Sequence, residues 1–370
     1  AMETYLPPDE LLKNLMRGTN AMIANDSPAQ TLEEAFSAHF YPRFDVGRDV
    51  LDPALAAFYE EVFPTLSYLT KPRPEAVTLV EWAFSKGYRV AISTNPLFPR
   101  LAIEHRLRWA GLAPEDYPFE LVSSFEHFHY CKPNSAYWAE VLARMGWEED
   151  PVLVVGDDPI RDLRAAQGVG LPTYWVADEK AALPEDVNPP MGRGDIGALP
   201  GWIESKSEEY FLPDYQAQTA IVAIAKSTPA ALKIILADLP EAAWRESPYP
   251  GEWSLVEVVS HLRDVEREVN LPRLKIFLEE ENPFISADDT DLWVSTRNYA
   301  AQDGGKALED YVAARIETLQ VLTVLADDAW QRAGRHAIFG PITMQEQLGF
   351  MTEHDRVHVR QICEAIQALK

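Results

Sequence analysis

The chain has only two cysteines, Cys131 and Cys363, in 370 residues. Two thiols so far apart make no disulfide framework, and their scarcity fits a reducing compartment. Long hydrophobic runs are also lacking. No stretch approaches the roughly 20 apolar residues that span a bilayer, and the first thirty residues carry no signal-peptide pattern. The expected location is the cytoplasm. Positive charge is short as well: 33 Lys and Arg stand against 58 Asp and Glu, giving a formal net charge of −25 and a pI near 4.7. Such a field repels phosphate backbones and anionic lipid, so neither nucleic acid nor membrane is an expected partner. Internal repeats and low-complexity tracts are missing too. The remaining balance, 47% hydrophobic and 25% charged, is that of a folded chain with room for two or three domains.

The pattern along the chain falls into two halves. Residues 3–70 read as mostly helical, with Leu11, Leu12, Leu15 and Met16, then Leu32, Ala35, Phe36 and Phe40, in loose helical spacing. From Pro74, which suits a helix start, to Gly87, which suits a stop, the rhythm changes. The strands YRVAIST, FELVSSF, PVLVVG and PTYWVA then alternate with helices. That order predicts a parallel, doubly wound sheet whose ligand site lies beyond the carboxyl ends of its strands. Residues 178–209 are rich in Pro, Gly and charge and read as a linker. Four long helical patterns follow, roughly 213–239, 254–280, 304–327 and 343–369, with no convincing strand, which predicts a four-helix bundle. The expected fold class is therefore α/β plus all-α.

Chemistry in the first half gathers at strand ends. YRVAIST ends in Thr94-Asn95, a hydroxyl and an amide able to hydrogen-bond a phosphate oxygen. Lys132 sits in HYCKPNSAY, before a helix, where an ammonium can neutralise phosphate charge. Asp157 and Asp162 follow PVLVVG, and their hard oxygens suit Mg²⁺. Asp158 reads as a neighbour in the turn. His127 and His129 read as loop or core histidines, since two imidazoles without a third ligand seldom make a site. Together, Thr94, Lys132 and the G-D-x-x-x-x-D run resemble the second, third and fourth motifs of the haloacid dehalogenase (HAD) superfamily. The resemblance covers residues 2–177 and implies a Rossmann-like HAD core at about 71–177 behind a helical cap at about 3–70. It also implies Thr94, Asn95 and Lys132 as the phosphoryl-binding set, with Asp157 and Asp162 as Mg²⁺ ligands.

One part of that family's pattern is missing. Its first motif, a strand ending in D-x-D that supplies the nucleophile, precedes the cap, whereas this chain opens at AMETYLPP. FDVGRDVLD has carboxylates but no strand before it. The resemblance implies that the absent strand lies between those of Thr94 and Asp157, and an upstream continuation is the expected explanation. As it stands, the Mg²⁺ site is half built and no phosphatase activity is expected. Mg²⁺ is expected there only with the missing motif restored.

The second half carries a different signal. Ser254 and Glu257 form a capping box, as do Thr343 and Glu346. His261 lies one turn beyond Glu257. On the last helix, Gln347, Met351, His354, His358 and Ile362 fall on one stripe, so two imidazoles share the apolar face that should point inward. Burying them is costly unless they bond to something. His354 and His358, four residues apart, offer two nitrogens to one ion, and His261 from a facing helix offers a third. His336 reads as a loop residue outside the site, and Asp288, Asp289 and Asp291 as a solvated acidic loop. HDRVH has Asp355 where a zincin has its base Glu. WSLVEVVSHL and EHDRVHVRQI resemble the DinB-like four-helix family over about 210–370. That resemblance implies a divalent metal, Zn or Ni, on the three histidines, and in some members thiol-dependent transferase or isomerase chemistry on a small molecule. The expected role is Lewis-acid activation of a thiol or water, with Glu257 orienting a ring and the loops around Trp293 and Tyr299 forming a mouth. A second reading is a non-catalytic metal- or ligand-binding module used to form homodimers.

Overall fold

The computed structural model of the protein describes residues 4–178 and 180–369. It divides into two compact units. The first takes in residues up to 137 with 151–165 and 172–211, and the second takes in 138–150, 166–171 and everything from 212 onward.

The first unit opens with α1 (Pro8–Ala24) packed on α2 (Leu32–Phe40). A capping box of Thr31 and Glu34 starts α2. Asn14 of α1 donates to the Phe40 carbonyl at 2.8 Å. Phe40, Phe44 and Leu51, the last from α3 (Arg48–Ala57), close a small core. Helical turns continue to Leu69, so this segment is helical as expected; residue 3 lies outside the described residues.

α4 (Pro74–Ser85) starts on a proline, where no backbone N–H is needed, and stops before Gly87, whose φ of +79° suits glycine. Strands and helices then alternate: β1 (Ala91–Ile92), α5 (Arg100–Trp109), β2 (Leu121–Val122), α6 (Ser135–Arg144), β3 (Val154–Gly156), α7 (Ala165–Gln167), β4 (Thr173–Val176), β5 (Gly192–Gly194) and α8 (Leu199–Glu204). All the pairing is parallel, as the alternation predicts. It is not one sheet, however. β1 pairs with β2, and β3, β4 and β5 form a second sheet in that order. Among the described residues no ladder joins β1 to β3. Val80, Ile103, Leu107 and Val122 pack over the first sheet, and Leu163, Trp175 and Val187 over the second.

The stretch expected as a linker, 178–209, supplies β5 and α8 instead. A side chain on Gly192 would meet the Trp202 ring at 2.3 Å and the Tyr174 ring at 2.7 Å. Glycine there permits a close approach rather than marking a loop.

In the second unit the four expected helical patterns are present. α9 (Gln218–Ile235) is followed by the short α10 (Glu241–Arg245). α11 (Leu255–Val265) runs through a wider turn at Glu266–Asn270 into α12 (Leu271–Glu279). After α13 (Leu292–Thr296) come α14 (Gly304–Leu322) and α15 (Met344–Ala368). α11 packs on α14, and α9 on both α14 and α15. Ile221, Leu274, Phe277, Leu319, Met344, Leu348 and Met351 form the buried core. Fully burying each such side chain contributes about 1.5–3 kcal/mol.

The expectation of no strand here is wrong. β6 (Phe284–Ile285) pairs in parallel with β7 (Ala333–His336), and β7 forms an antiparallel hairpin with β8 (Gly340–Thr343). His336 is thus a strand residue, and its ring faces inward with 7% exposure. The period-two alternation spans only four residues, too few to read against the long helices around it. No helix among the described residues is long and apolar enough to cross a membrane.

Candidate metal centre

α11 and α15 each start on a capping box, which fixes where their turns begin and so which residues face inward. His261 lies on the buried face of α11, while His354 and His358 lie one turn apart on α15. The three rings meet at their Nε2 atoms. His354 Nε2 lies 3.1 Å from His261 Nε2 and 3.1 Å from His358 Nε2. One ligand atom from each falls within 4.8 Å of the other two. Among the described residues no carboxylate, thiol or further imidazole joins this group.

The surroundings keep the rings neutral. Burial pushes the His261 pKa down to about 3, helped by His358 and opposed by Asp264 and the Thr290 carbonyl. Burial likewise holds His354 well below the ordinary imidazole value, with His358, His261 and Arg315 adding to it. His358 is lowered by burial too, against the pull of Gln361 and Asp291. Neutral imidazole is the form that ligates a metal.

Hydrogen bonding alone does not satisfy this arrangement. Two Nε2–Nε2 contacts share the single Nε2 of His354, which offers one proton or one lone pair but not both. The buried Nδ1 atom of His354 has no hydrogen-bond partner. A cation among three inward lone pairs resolves that conflict, so the residues present fit a divalent metal.

Neighbouring side chains shape the site. His358 Nδ1 contacts Gln361 Oε1 at 2.8 Å, a bond that fixes the ring when Nδ1 carries the proton. Trp253 stacks on His358 with centroids 5.9 Å apart and planes 13° apart, and it lies 5.1 Å from His261. The expectation for Glu257 fails: its carboxylate accepts from the Ser254 amide and hydroxyl at 2.8 and 2.7 Å, so the helix cap consumes it. The Tyr299 side chain itself points inward. It is fully buried, and its hydroxyl donates to Asp264 at 2.8 Å. Gln361, three residues beyond His358, was legible from helical spacing. Trp253 carried no such signal.

Of the residues expected at the first unit's strand ends, Lys132, Asn95 and Asp162 bond to one another. Lys132 Nζ donates to the Ser93 carbonyl at 2.7 Å and to Asp162 Oδ1 at 2.6 Å, so one ammonium links the end of β1 to the helical turn after β3. Asn95 Oδ1 accepts from the Lys132 amide at 3.0 Å. The Thr94 carbonyl accepts from Ser123 and Tyr137, and its residue lines a cavity of about 320 Å³ with Lys71, Arg73, Arg106 and Trp109. Asp158 caps the turn after β3, accepting from the Ile160 and Arg161 amides. Asp157 is exposed, and its carbonyl accepts from Trp175. Asp157 and Asp162 belong to no group of three metal-ligating residues among those described, nor do His127, His129, His336, Asp288, Asp289 or Asp291.

Three convergent imidazoles in a helical unit, and Thr94, Lys132 and Asp162 in the segments that follow parallel strands, define the class. The chain joins a HAD-like hydrolase domain to a DinB-like domain. Residues 225–362 match the DinB superfamily, and residues 129–195 match the HAD-hydrolase-like family. Phosphoserine phosphatase from Thermus thermophilus is 31% identical over 125 residues, which cover 33% of this chain and 47% of that protein. The chain thus spans about half the length of this curated relative. YfiT from Bacillus subtilis, described as a probable metal-dependent hydrolase with an unusual four-helix bundle topology, aligns with a TM-score of 0.38 at 23% identity. That alignment covers 45% of this chain and 91% of YfiT.

Proposed function

We propose that His261, His354 and His358 hold a divalent cation, Zn²⁺ or Ni²⁺, and that the second half of the chain carries out metal-dependent hydrolysis or thiol-dependent transfer on a small molecule. The observation that carries this reading is the meeting of three Nε2 atoms at one point, from the buried rings of His261 and His358 and the half-buried ring of His354. With three protein ligands and no fourth among the described residues, the set matches catalytic rather than closed structural sites. A cation bound there supplies Lewis acidity. The chain's own residues do the rest. Gln361 holds the His358 ring, Trp253 covers one face of that ring, and burial disfavours protonation of each imidazole. The alternative, a non-catalytic module used in dimerisation, would favour a closed fourth position.

The test is metal analysis and titration of the full chain. Wild type should take up about one equivalent of Zn²⁺ or Ni²⁺, and His261→Ala none. Equal, substoichiometric uptake by both would end the proposal. If the chemistry is thiol-dependent, turnover should further require a low-molecular-weight thiol.

For the first half we propose the HAD-like phosphoryl site without phosphatase turnover. Residues 1–177 contain no D-x-D, and Lys132 and Asp162 neutralise each other. With Mg²⁺ and phosphoserine, wild type and Asp157→Asn should give the same background rate. Mg²⁺-dependent turnover lost in Asp157→Asn would refute this. We take the first domain to extend from 1–177 through β5 and α8 to about 209, 210–370 as the second domain, and the cytoplasm as their location.

A further inference from the structure

Arg315, on α14, is completely buried and contributes no ligand to the histidine triad. Its guanidinium nevertheless reaches both helices that do. Nη1 donates to Asp355 Oδ2 at 2.5 Å and Nη2 to Asp355 Oδ1 at 2.9 Å, a bidentate fork onto the residue that follows His354 on α15. Nη2 also donates to Glu266 Oε2 at 2.8 Å, and Glu266 lies in the turn that continues α11, five residues beyond His261. Nη1 adds the Ala225 carbonyl of α9 at 3.2 Å. All three charged side chains show no exposed surface. Glu266 is held in turn by Asn270 Nδ2 at 2.9 Å and by the Thr318 hydroxyl.

We propose that Arg315 is a positioning residue for the metal centre: its fork clamps the His261 helix to the His354/His358 helix and sets the separation of their Nε2 atoms. The proposal rests on the metal reading above. It follows from direction and stiffness. A planar guanidinium bonded at both ends fixes distance and angle together, whereas apolar core contacts allow α11 and α15 to slide. Buried ion pairs add little net stability over apolar packing, and specifying one register is their best-attested use. Here the specified quantity is the spacing between one histidine on α11 and two on α15. Lysine retains the charge but not the fork, so it cannot hold Asp355 and Glu266 in the same geometry.

The test uses the full chain with Co²⁺ as a visible-spectrum probe, and Zn²⁺ in competition to obtain affinity. Wild type should bind one Co²⁺ with a defined ligand-field spectrum; if it binds none, the metal reading itself fails. Arg315→Met and Arg315→Lys should keep wild-type helicity yet bind metal about 10–100-fold more weakly, the loss typical of groups that support metal ligands. Their Co²⁺ bands should shift, because the nitrogens no longer converge in the same way. A purely structural role would lower the unfolding midpoint and leave the spectrum of the folded fraction unchanged, and that result overturns the proposal. Should the single variants not fold, Arg315→Met/Glu266→Leu/Asp355→Leu leaves no buried charge unpaired and carries the same readout. Wild-type affinity and spectrum in that triple variant also overturn it; a folded triple variant with weakened, shifted Co²⁺ binding supports it.

Discussion

Individual residues here do jobs set by what lies beside them. Gln361 meets the outer nitrogen of a triad imidazole, His358 Nδ1, at 2.8 Å. Gln361→Ala should therefore weaken Zn²⁺ binding about 10-fold while leaving helicity intact, as read by competition titration and circular dichroism. His336→Ala, in contrast, should leave affinity unchanged, since that ring accepts from the Ile338 and Phe339 amides away from the triad. Cys131 shows the same dependence on setting. It is buried, its thiol approaches the Met22 carbonyl at 3.7 Å, and burial pushes its pKa up to about 11. Between its ordinary value of 9.0 and about 11, the unfolded chain releases this proton and the folded chain does not. Stability that is fully present below pH 9 should then fall as pH rises through that window. Urea midpoints at pH 8 and 10 should fall more steeply in wild type than in Cys131→Ala.

At the scale of elements, α15 carries the heaviest demand, since two triad histidines and Asp355 all lie on it. Its start is fixed by Thr343, whose hydroxyl accepts from the Glu346 amide at 3.2 Å while Glu346 accepts from the Thr343 amide at 2.7 Å. Thr343→Ala should cost about 1 kcal/mol in urea unfolding without changing metal stoichiometry, because the histidines lie more than two turns away. β5 is an element of a different kind, defined by how closely its backbone lies to Trp202 and Tyr174. Gly192→Val should destabilise by about 1–3 kcal/mol, read from the thermal midpoint, since a rigid ring cannot retreat as a flexible side chain would.

For the whole molecule, division into two compact units predicts two unfolding transitions in calorimetry of the full chain. The triad lies in the second unit. At a free Zn²⁺ concentration a hundredfold above Kd, that unit should gain about 2.7 kcal/mol, with its transition moving up and the other staying in place. Equal shifts in both would mean that metal binds elsewhere as well. The net charge of −25 acts at this scale too, opposing association with polyanions throughout the chain.

Much that is local could be read along the chain. Proline at the start of α4, glycine after it, and hydroxyl–glutamate pairs at the starts of α11 and α15 act within a few residues, so they are legible without a fold. The four-residue spacing of His354 and His358 is local in the same sense. What the tertiary structure decided involves partners far apart in the chain. It brought His261 to His354 across 93 positions, and it paired Lys132 with Asp162 although both had read as ligands for something else. It turned 178–209 into an edge strand and a helix, and it placed β1 and β3 in separate sheets. It also left Glu257 to the helix cap, although its carboxylate had also been expected to orient a triad ring. The physical reason is common to all of these. Helix periodicity and capping are energies of neighbours in sequence, whereas the partner of a buried charge or an open sheet edge is settled only by which distant atoms come within hydrogen-bond reach.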